Sequence, residues 1–586
     1  MANLRQLLDK LPIDDEIIRR IPVPGLQGDC ILEIDTTRGV SEAAPTSPLE
    51  ALQRRNTPVL GDIVDGLRRG AGDEKVKGLI AHTAGATLTL AQADELRAAV
   101  VAFRESGKPC VAWSESFGEF GPGMAQYLLA SAFDEIWLQP TGDVSFYGAR
   151  ATGTFLREAL DKLGVVPQFA GRKEYKSAAD MFTQNSFTDA NREQVQAIVD
   201  SVVDSVIDEV ATARDLRPEA VREAVEAGPL TPQQAVEAGL IDKVGYRDEA
   251  HAAIRVRVED RSEHPAALRF VERYGSKSGI PGAPKGPAFR RGKRPVIAVI
   301  HASGPIHLGR GSGTSPFAGT SIGSDSLGAA LRHAVKEEVA AVVLRVNSPG
   351  GSAVASDAIR REVHQVRAEG IPVVASMGDV AASGGYYIAM PASEVVAGAH
   401  TLTGSIGVIA GKLVTAPAWQ RIGVHSDTVS NGRYAQIFSS AKQFDEQEWE
   451  VLNNILDRVY DDFVSRAAED RGMALEKLEP LAHGRVWTGR DAHAHGLVDH
   501  IGGLSTAIDR ACIILGVRRD SVDVQAMPKL SPFDRFLPTD NSDAPSAGGV
   551  SGAMFGEGVD IVDRALARLG VKPTGLLTAY GLPTLR

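Results

Sequence analysis

Ser383 lies in "GDVAASGGYYIA" (378–389), between Ala381–Ala382 and Gly384–Gly385, and is the one reactive side chain in a turn of small residues. Small neighbours let an extended peptide backbone approach closely. The Gly384 N–H, directly after the serine, is placed to hold negative charge developing on a carbonyl oxygen. A serine ahead of a helix is also an ordinary N-cap, and this segment alone leaves both readings open. A second segment, "VNSPGGSAVASDAI" (346–359), puts Gly350 and Gly351 between a strand and a helix. Such a turn can aim backbone N–H groups at an oxyanion, or it is simply a tight turn that needs glycine.

A serine hydroxyl is a weak nucleophile and needs an adjacent base. His301, His307, His333, His364 and His400 are the histidines near these segments, and none sits beside an obvious acidic partner. Triad members need only meet in space, so a Ser–His–Asp arrangement stays open. The other base is a lysine whose pKa burial has lowered. Lys176, in "GRKEYKSAADMFT" (171–183), is that candidate. A lysine taken alone is ordinarily a solvated surface charge.

An internal repeat of about 260 residues changes the weight of Lys176. "EKVKGLIAHTAG" (74–85) parallels "EEVAAVVLRVNS" (337–348), and "RESGKPCVAW" (104–113) parallels "RAEGIPVVAS" (367–376), both offset by 263. Tyr127 matches Tyr386 and Glu135 matches Glu394 at 259, and "GLIDKVG" (239–245) matches "GLVDHIG" (496–502) at 257. At the 259 offset Ser383 aligns with Met124 and Lys176 with Ala435, beside the matched Tyr175 and Tyr434. Each copy then keeps one half of a dyad, and a complete site lies where the copies meet.

The elements that must position these residues alternate. "VIAVIHASG" (296–304), "VAAVVLRVN" (339–347) and "IPVVASMG" (371–378) read as strands; 326–338 and 356–370 have helical spacing, as does the long region 444–473. Short β-branched runs between amphipathic helices predict parallel strands with helical crossovers, an α/β fold. The organisation expected is an N-terminal helical segment (1–28), a first copy (29–274), a Gly/Pro/basic linker (275–295), a second copy (296–515) and a C-terminal extension (516–586), low in hydrophobics and mobile around "PTDNSDAPSAGGVSGAMFGEG", with a short amphipathic helix at 559–570.

The net charge of -11 over 586 residues argues against a general nucleic-acid binder. Cys30, Cys110 and Cys512 are too scattered for a metal pair or a disulfide framework and read as buried thiols. There is no P-loop and no HExxH, and "GRGSG" (309–313) reads as a flexible loop, so no cofactor or metal is expected. No apolar stretch is long enough for a signal peptide or a transmembrane helix. The first 28 residues could lie on a membrane surface or dock on another subunit, and the basic run Arg290, Arg291, Lys293, Arg294 could touch acidic lipid or be a solvated linker.

Four segments, "VNSPGGSA", "GDVAASGGYYIA", "TLTGSIGVI" and "EYKSAADMFT", resemble in content and order signal peptide peptidase A (protease IV) in its long, duplicated bacterial form. The resemblance covers roughly residues 30–515. It implies two tandem crotonase/ClpP-like units and a Ser–Lys peptidase with Ser383 as nucleophile and Lys176 as base. It also implies Ser405 of "TGSIG" as the hydroxyl beside the amine, and Gly350, Gly351 and Gly384 as oxyanion-hole residues. Peptide substrates (signal-peptide remnants and unfolded hydrophobic segments) and a membrane-associated homo-oligomer, a tetramer in the long form, follow from it as expectations. The family's N-terminal anchor is not recognisable here, which leaves a cytoplasmic or peripheral-membrane location. Two other functions stay open: an acyl-CoA hydratase or isomerase of the same fold, and a catalytically weak peptide-binding scaffold.

Overall fold

The computed structural model describes residues 29–43, 54–85, 88–119, 121–258, 266–274, 294–310 and 321–528, and the backbone of 577–578 and 584–585. The expected N-terminal helical segment, nearly all of the linker, and the 559–570 helix lie outside the described residues.

In the first unit, β1 (Cys30–Asp35), β2 (Val76–His82), β3 (Cys110–Ser114) and β4 (Glu135–Leu138) are almost wholly buried, which is why their sequences are continuous apolar runs rather than alternating ones. Three helices pack against them: α1 (Leu60–Ala71), α2 (Leu90–Arg104) and α3 (Met124–Ala130). Beyond these lie β5 (Val166–Gly171), the long helix α4 (Asp189–Arg214), β6 (Lys243–Val244) and β7 (Ala267–Phe270). The sheet order is β6-β4-β3-β2-β1-β7, with every pairing parallel.

The second unit repeats this order. Its strands are β8 (Val296–Ser303), β9 (Ala341–Ser348), β11 (Val373–Ala382), β12 (Glu394–Ala397), β16 (His500–Ile501) and β17 (Asp523–Ala526); a two-residue strand, β10 (Gly350–Gly351), follows β9. The order β16-β12-β11-β9-β8-β17 is again all parallel. Its helices α5 (Ser324–Lys336), α6 (Ala353–Ala368) and α7 (Gly384–Ala389) stand where α1, α2 and α3 stand in the first unit. Matching hydrogen bonds fix the register of the repeat: the Tyr127 hydroxyl donates to Leu240 O at 2.7 Å and the Tyr386 hydroxyl to Leu497 O at 3.0 Å.

Three differences from the sequence expectation bear on the site. Helix α6 begins at Ala353, three residues before the periodic run, because the Ser352 hydroxyl accepts the Ala355 N–H and caps it. Strand β11 runs to Ala382, because its last residues gain a second parallel partner, β13 (Leu402–Gly404), itself paired antiparallel with β15 (Val486–Thr488), and so it leads straight into Ser383. The first unit's counterpart, β3, stops at Ser114 and continues as a loop to Gly123. Strand β17 then extends the second sheet past residue 515.

The units meet through buried polar groups as well as packing. Arg345 of β9 is 3% exposed and reaches Glu95 of α2 and Glu42, each at 3.0 Å. The Thr89 hydroxyl donates to Asp379 at 2.5 Å. Most directly, β5 of the first unit adds antiparallel to β14 (Ile409–Val414) of the second, from Ile409↔Gly171 to Val414↔Val166.

Candidate active site at the junction of the two units

Ser383 joins β11 to α7 with φ 55° and ψ −116°, a conformation that costs a non-glycine residue about 1–3 kcal/mol. Neighbouring bonds hold it there: its N–H donates to Gly404 O at 2.8 Å, and its own carbonyl accepts the Tyr387 N–H at 2.9 Å. The backbone must turn this sharply to point Oγ away from the helix, and among the described contacts the hydroxyl does not cap α7. The N-cap reading therefore gives way to a side chain free for another partner.

That partner is Lys176. Strand β5 carries the chain onto the second unit, Arg172 N–H donates to Val408 O at 3.0 Å, and Lys173 turns the backbone with φ 66°. Lys176 then points inward, 6% exposed, with Nζ 2.8 Å from Ser383 Oγ, 3.0 Å from Ser405 Oγ and 3.1 Å from Ser405 O. Burial pushes the amine down to about 7, because the charged form loses its hydration. Ser405 is itself fixed in the left-handed region (φ 51°), its N–H donating to Arg485 O at 2.7 Å.

The glycine turns meet the serine from the other side. A side chain at position 384 would begin 3.1 Å from both Gly350 Cα and Gly351 N and 2.8 Å from Ser356 Oγ, so only glycine lets α7 start this close to β10. The Gly384 N–H is the first of its helix and has no partner in the helix's own ladder. The Gly350 N–H donates to Ser348 Oγ at 3.1 Å, and Gly351 lies opposite residue 577 in the ladder on the outer edge of β10. One edge of β10 pairs with Ile306 and the other pairs antiparallel with residues 577–578 of the chain's own tail. An extended peptide can add at that second edge.

Ser383, Lys176, Ser405 and the glycines are thus brought together, and the weighed histidines are not. His307 bonds Leu308 O and Ser321, His364 meets Asp470 at 3.0 Å, His400 faces Glu209, and the half-buried His301 is pushed down to about 4 by desolvation and then by the charge of Arg345. Ala435, the second-unit counterpart of Lys176, is exposed, and Met124, the counterpart of Ser383, is buried in the first core. The three cysteines are free and buried. No cluster of potential metal ligands occurs among the described residues. Sequence reasoning missed the turn His483–Gly484–Arg485, which packs against Lys176; the one available signal was a glycine in "LAHGRVWTG" with no turn to explain it.

A strained serine touching a buried, near-neutral lysine beside backbone N–H donors can perform nucleophilic acyl transfer, and a duplicated parallel α/β frame carrying it defines a class of serine hydrolase. The sequence profile of peptidase family S49 matches residues 102–259 and 365–518, more than half of the chain. The chain is 32% identical to Protease 4 of Salmonella typhi, over 79% of this chain and 73% of that protein, and 30% identical to Protease 4 of Haemophilus influenzae, over 78% and 74%. It is 33% identical to the chloroplastic serine protease SPPA of Arabidopsis thaliana over 75% of this chain, a match spanning 63% of that relative's length. The chain belongs to peptidase family S49 and is a serine peptidase.

Proposed function

We propose that the chain cleaves peptide bonds in signal-peptide remnants and unfolded hydrophobic segments through a Ser383–Lys176 dyad. The observation that carries this is the 2.8 Å contact between a buried amine held near pKa 7 and a serine that caps nothing. Neutral Lys176 takes the Ser383 proton as Oγ attacks the scissile carbonyl. The Gly384 N–H, with the backbone of the Gly350–Gly351 turn beside it, holds the oxyanion. The tetrahedral intermediate collapses, Lys176 returns the proton to the leaving amine, and an acyl-enzyme remains. Water, losing its proton to Lys176, adds to the ester carbonyl, and the second tetrahedral intermediate expels Ser383 Oγ, which takes that proton back from Lys176 as the acid product leaves. The substrate lies as an added strand on β10, in the place residues 577–578 occupy here. Ser405 holds the amine toward Ser383 throughout.

The repeated order of parallel strands, each unit with helices on both faces of its sheet (Arg247–Arg257 and Leu504–Leu515 covering the second face), supports two crotonase/ClpP-like units, the first supplying the base and the second the nucleophile. A homo-oligomer, a tetramer by resemblance, is supported by an unmet pairing. The first unit's β5 completes the second unit's β14, whereas the second-unit counterpart of β5, residues 425–430, is wholly exposed. No helix among the described residues is long and apolar enough to cross a membrane; peripheral membrane contact rests on the resemblance alone.

The test is cleavage of an unfolded apolar peptide by the full chain. The wild type is expected to cleave it, with a covalent acyl-enzyme detectable on Ser383 by mass spectrometry after rapid acid quench. Cleavage by Ser383→Ala at the wild-type rate would overturn the assignment.

A further inference from the structure

The turn His483–Gly484–Arg485 lies between the lysine loop and the Ser405 loop and bonds to both. His483 O accepts the Tyr175 N–H at 3.2 Å, one residue before Lys176. Gly484 donates to Ile406 O at 2.8 Å, and Arg485 O accepts the Ser405 N–H at 2.7 Å. His483 is held at φ 49°, a backbone state that needs support from its surroundings. Its imidazole supplies it: Nδ1 is 3.1 Å from Glu174 of the first unit and Nε2 is 3.0 Å from Glu479 of the second. Lys173 joins the same cluster through Glu479 at 2.9 Å, and its ammonium sits 5.5 Å over the Tyr460 ring.

We propose that His483 is a positioning residue for the peptidase reaction: by bridging Glu174 and Glu479 it pins the lysine loop to the second unit and keeps Lys176 dry. The inference rests on the Ser383–Lys176 reading. It adds a role to a side chain that touches neither the hydroxyl nor the amine. The pin acts on the property that makes Lys176 a base. The amine titrates near pH 7 because burial strips the charged form of its hydration. A loosened loop admits water and restores the charged form.

The experiment is the pH dependence of kcat/KM on an unfolded peptide, from about pH 5 to about pH 10, for the full chain carrying His483→Ala, His483→Gln or Glu174→Gln, with thermal melting alongside. The expected result for His483→Ala and Glu174→Gln is an acid limb moved up by about one pH unit. That is about a fivefold loss at pH 7, recovered above about pH 9. His483→Gln, which keeps a donor toward one carboxylate, lies between these and the wild type. An unmoved acid limb, or a loss equal at every pH, overturns the proposal, since a purely structural role lowers the amount of active protein and leaves the titration in place. If His483→Ala does not fold, Glu174→Gln decides alone, because the Glu174 side chain is 53% exposed. Lys176→Ala separates the two readings. Activity retained there removes the dyad and the pin together, whereas activity lost there, with the other variants unmoved, leaves the dyad standing and removes the pin alone.

Discussion

At the scale of the residue, the account turns on the protonation of Lys176. Below about pH 7 the amine carries its proton and cannot accept another, so kcat/KM should rise with pH through a midpoint near 7. Ser405→Ala removes one of the two Ser405 contacts with the amine, and a fall in kcat of about tenfold to a hundredfold is expected from steady-state kinetics, with little change in melting temperature. The same burial has a consequence for stability. The folded pKa is depressed below the usual lysine value, so between about 7 and about 10.5 the unfolded chain binds the extra proton and stability rises with pH. Lys176→Met should therefore stabilise the fold at pH 7, on the order of a few kcal/mol, with a gain that shrinks toward pH 10. Chemical denaturation at both pH values checks the sign.

At the scale of the element, the site depends on places where only glycine fits, among them positions 384 and 484. Gly384 lets α7 start against β10, and Gly484 lets the 483–485 turn lie on the lysine loop. A side chain at 484, where φ is 78°, would begin 2.6 Å from Lys176 Cβ and 2.7 Å from Lys176 N. Backbone atoms cannot yield as a side-chain tip can. Gly484→Ala should cost about 1–3 kcal/mol of stability and, by shifting the amine, about a hundredfold in kcat, measured by melting and by turnover. Much of this scale was legible in the sequence. The strands of the second unit are continuous β-branched runs, and their buried positions follow directly. The continuation of β11 to Ala382 was hidden, because it comes from pairing with a strand more than twenty residues on. The role of His483 was hidden for a related reason: its partners Glu174 and Glu479 belong to different units, and nothing in the spacing brings them together.

At the scale of the whole molecule, the duplication divides the proposed active site between two units, so their mutual placement is part of the proposed chemistry. The repeat offset predicted that Ser383 and Lys176 are each the surviving half of a pair, and the matched Tyr127 and Tyr386 hydrogen bonds give that offset a structural basis. The sequence did not reveal what fastens the units, because a charged residue in a strand looks like a surface position. Arg345 is the instance: it is buried in the middle of β9 and answered by Glu42 and Glu95 from the other unit. Arg345→Ala leaves two carboxylates facing a void in a low-dielectric junction, and a loss of about 3–5 kcal/mol is expected in denaturant unfolding. Peptidase activity should fall with the fraction folded.

The central claim is that Lys176 activates Ser383 and does so as the free amine. The rate at which a fluorophosphonate labels Ser383, followed against pH by intact-protein mass spectrometry, tests it most directly, since it reads the nucleophile without needing the natural substrate. The account predicts labelling confined to Ser383, rising through a midpoint near pH 7 and abolished in Lys176→Ala. Labelling of Lys176→Ala at the wild-type rate, or at a different serine, would contradict it.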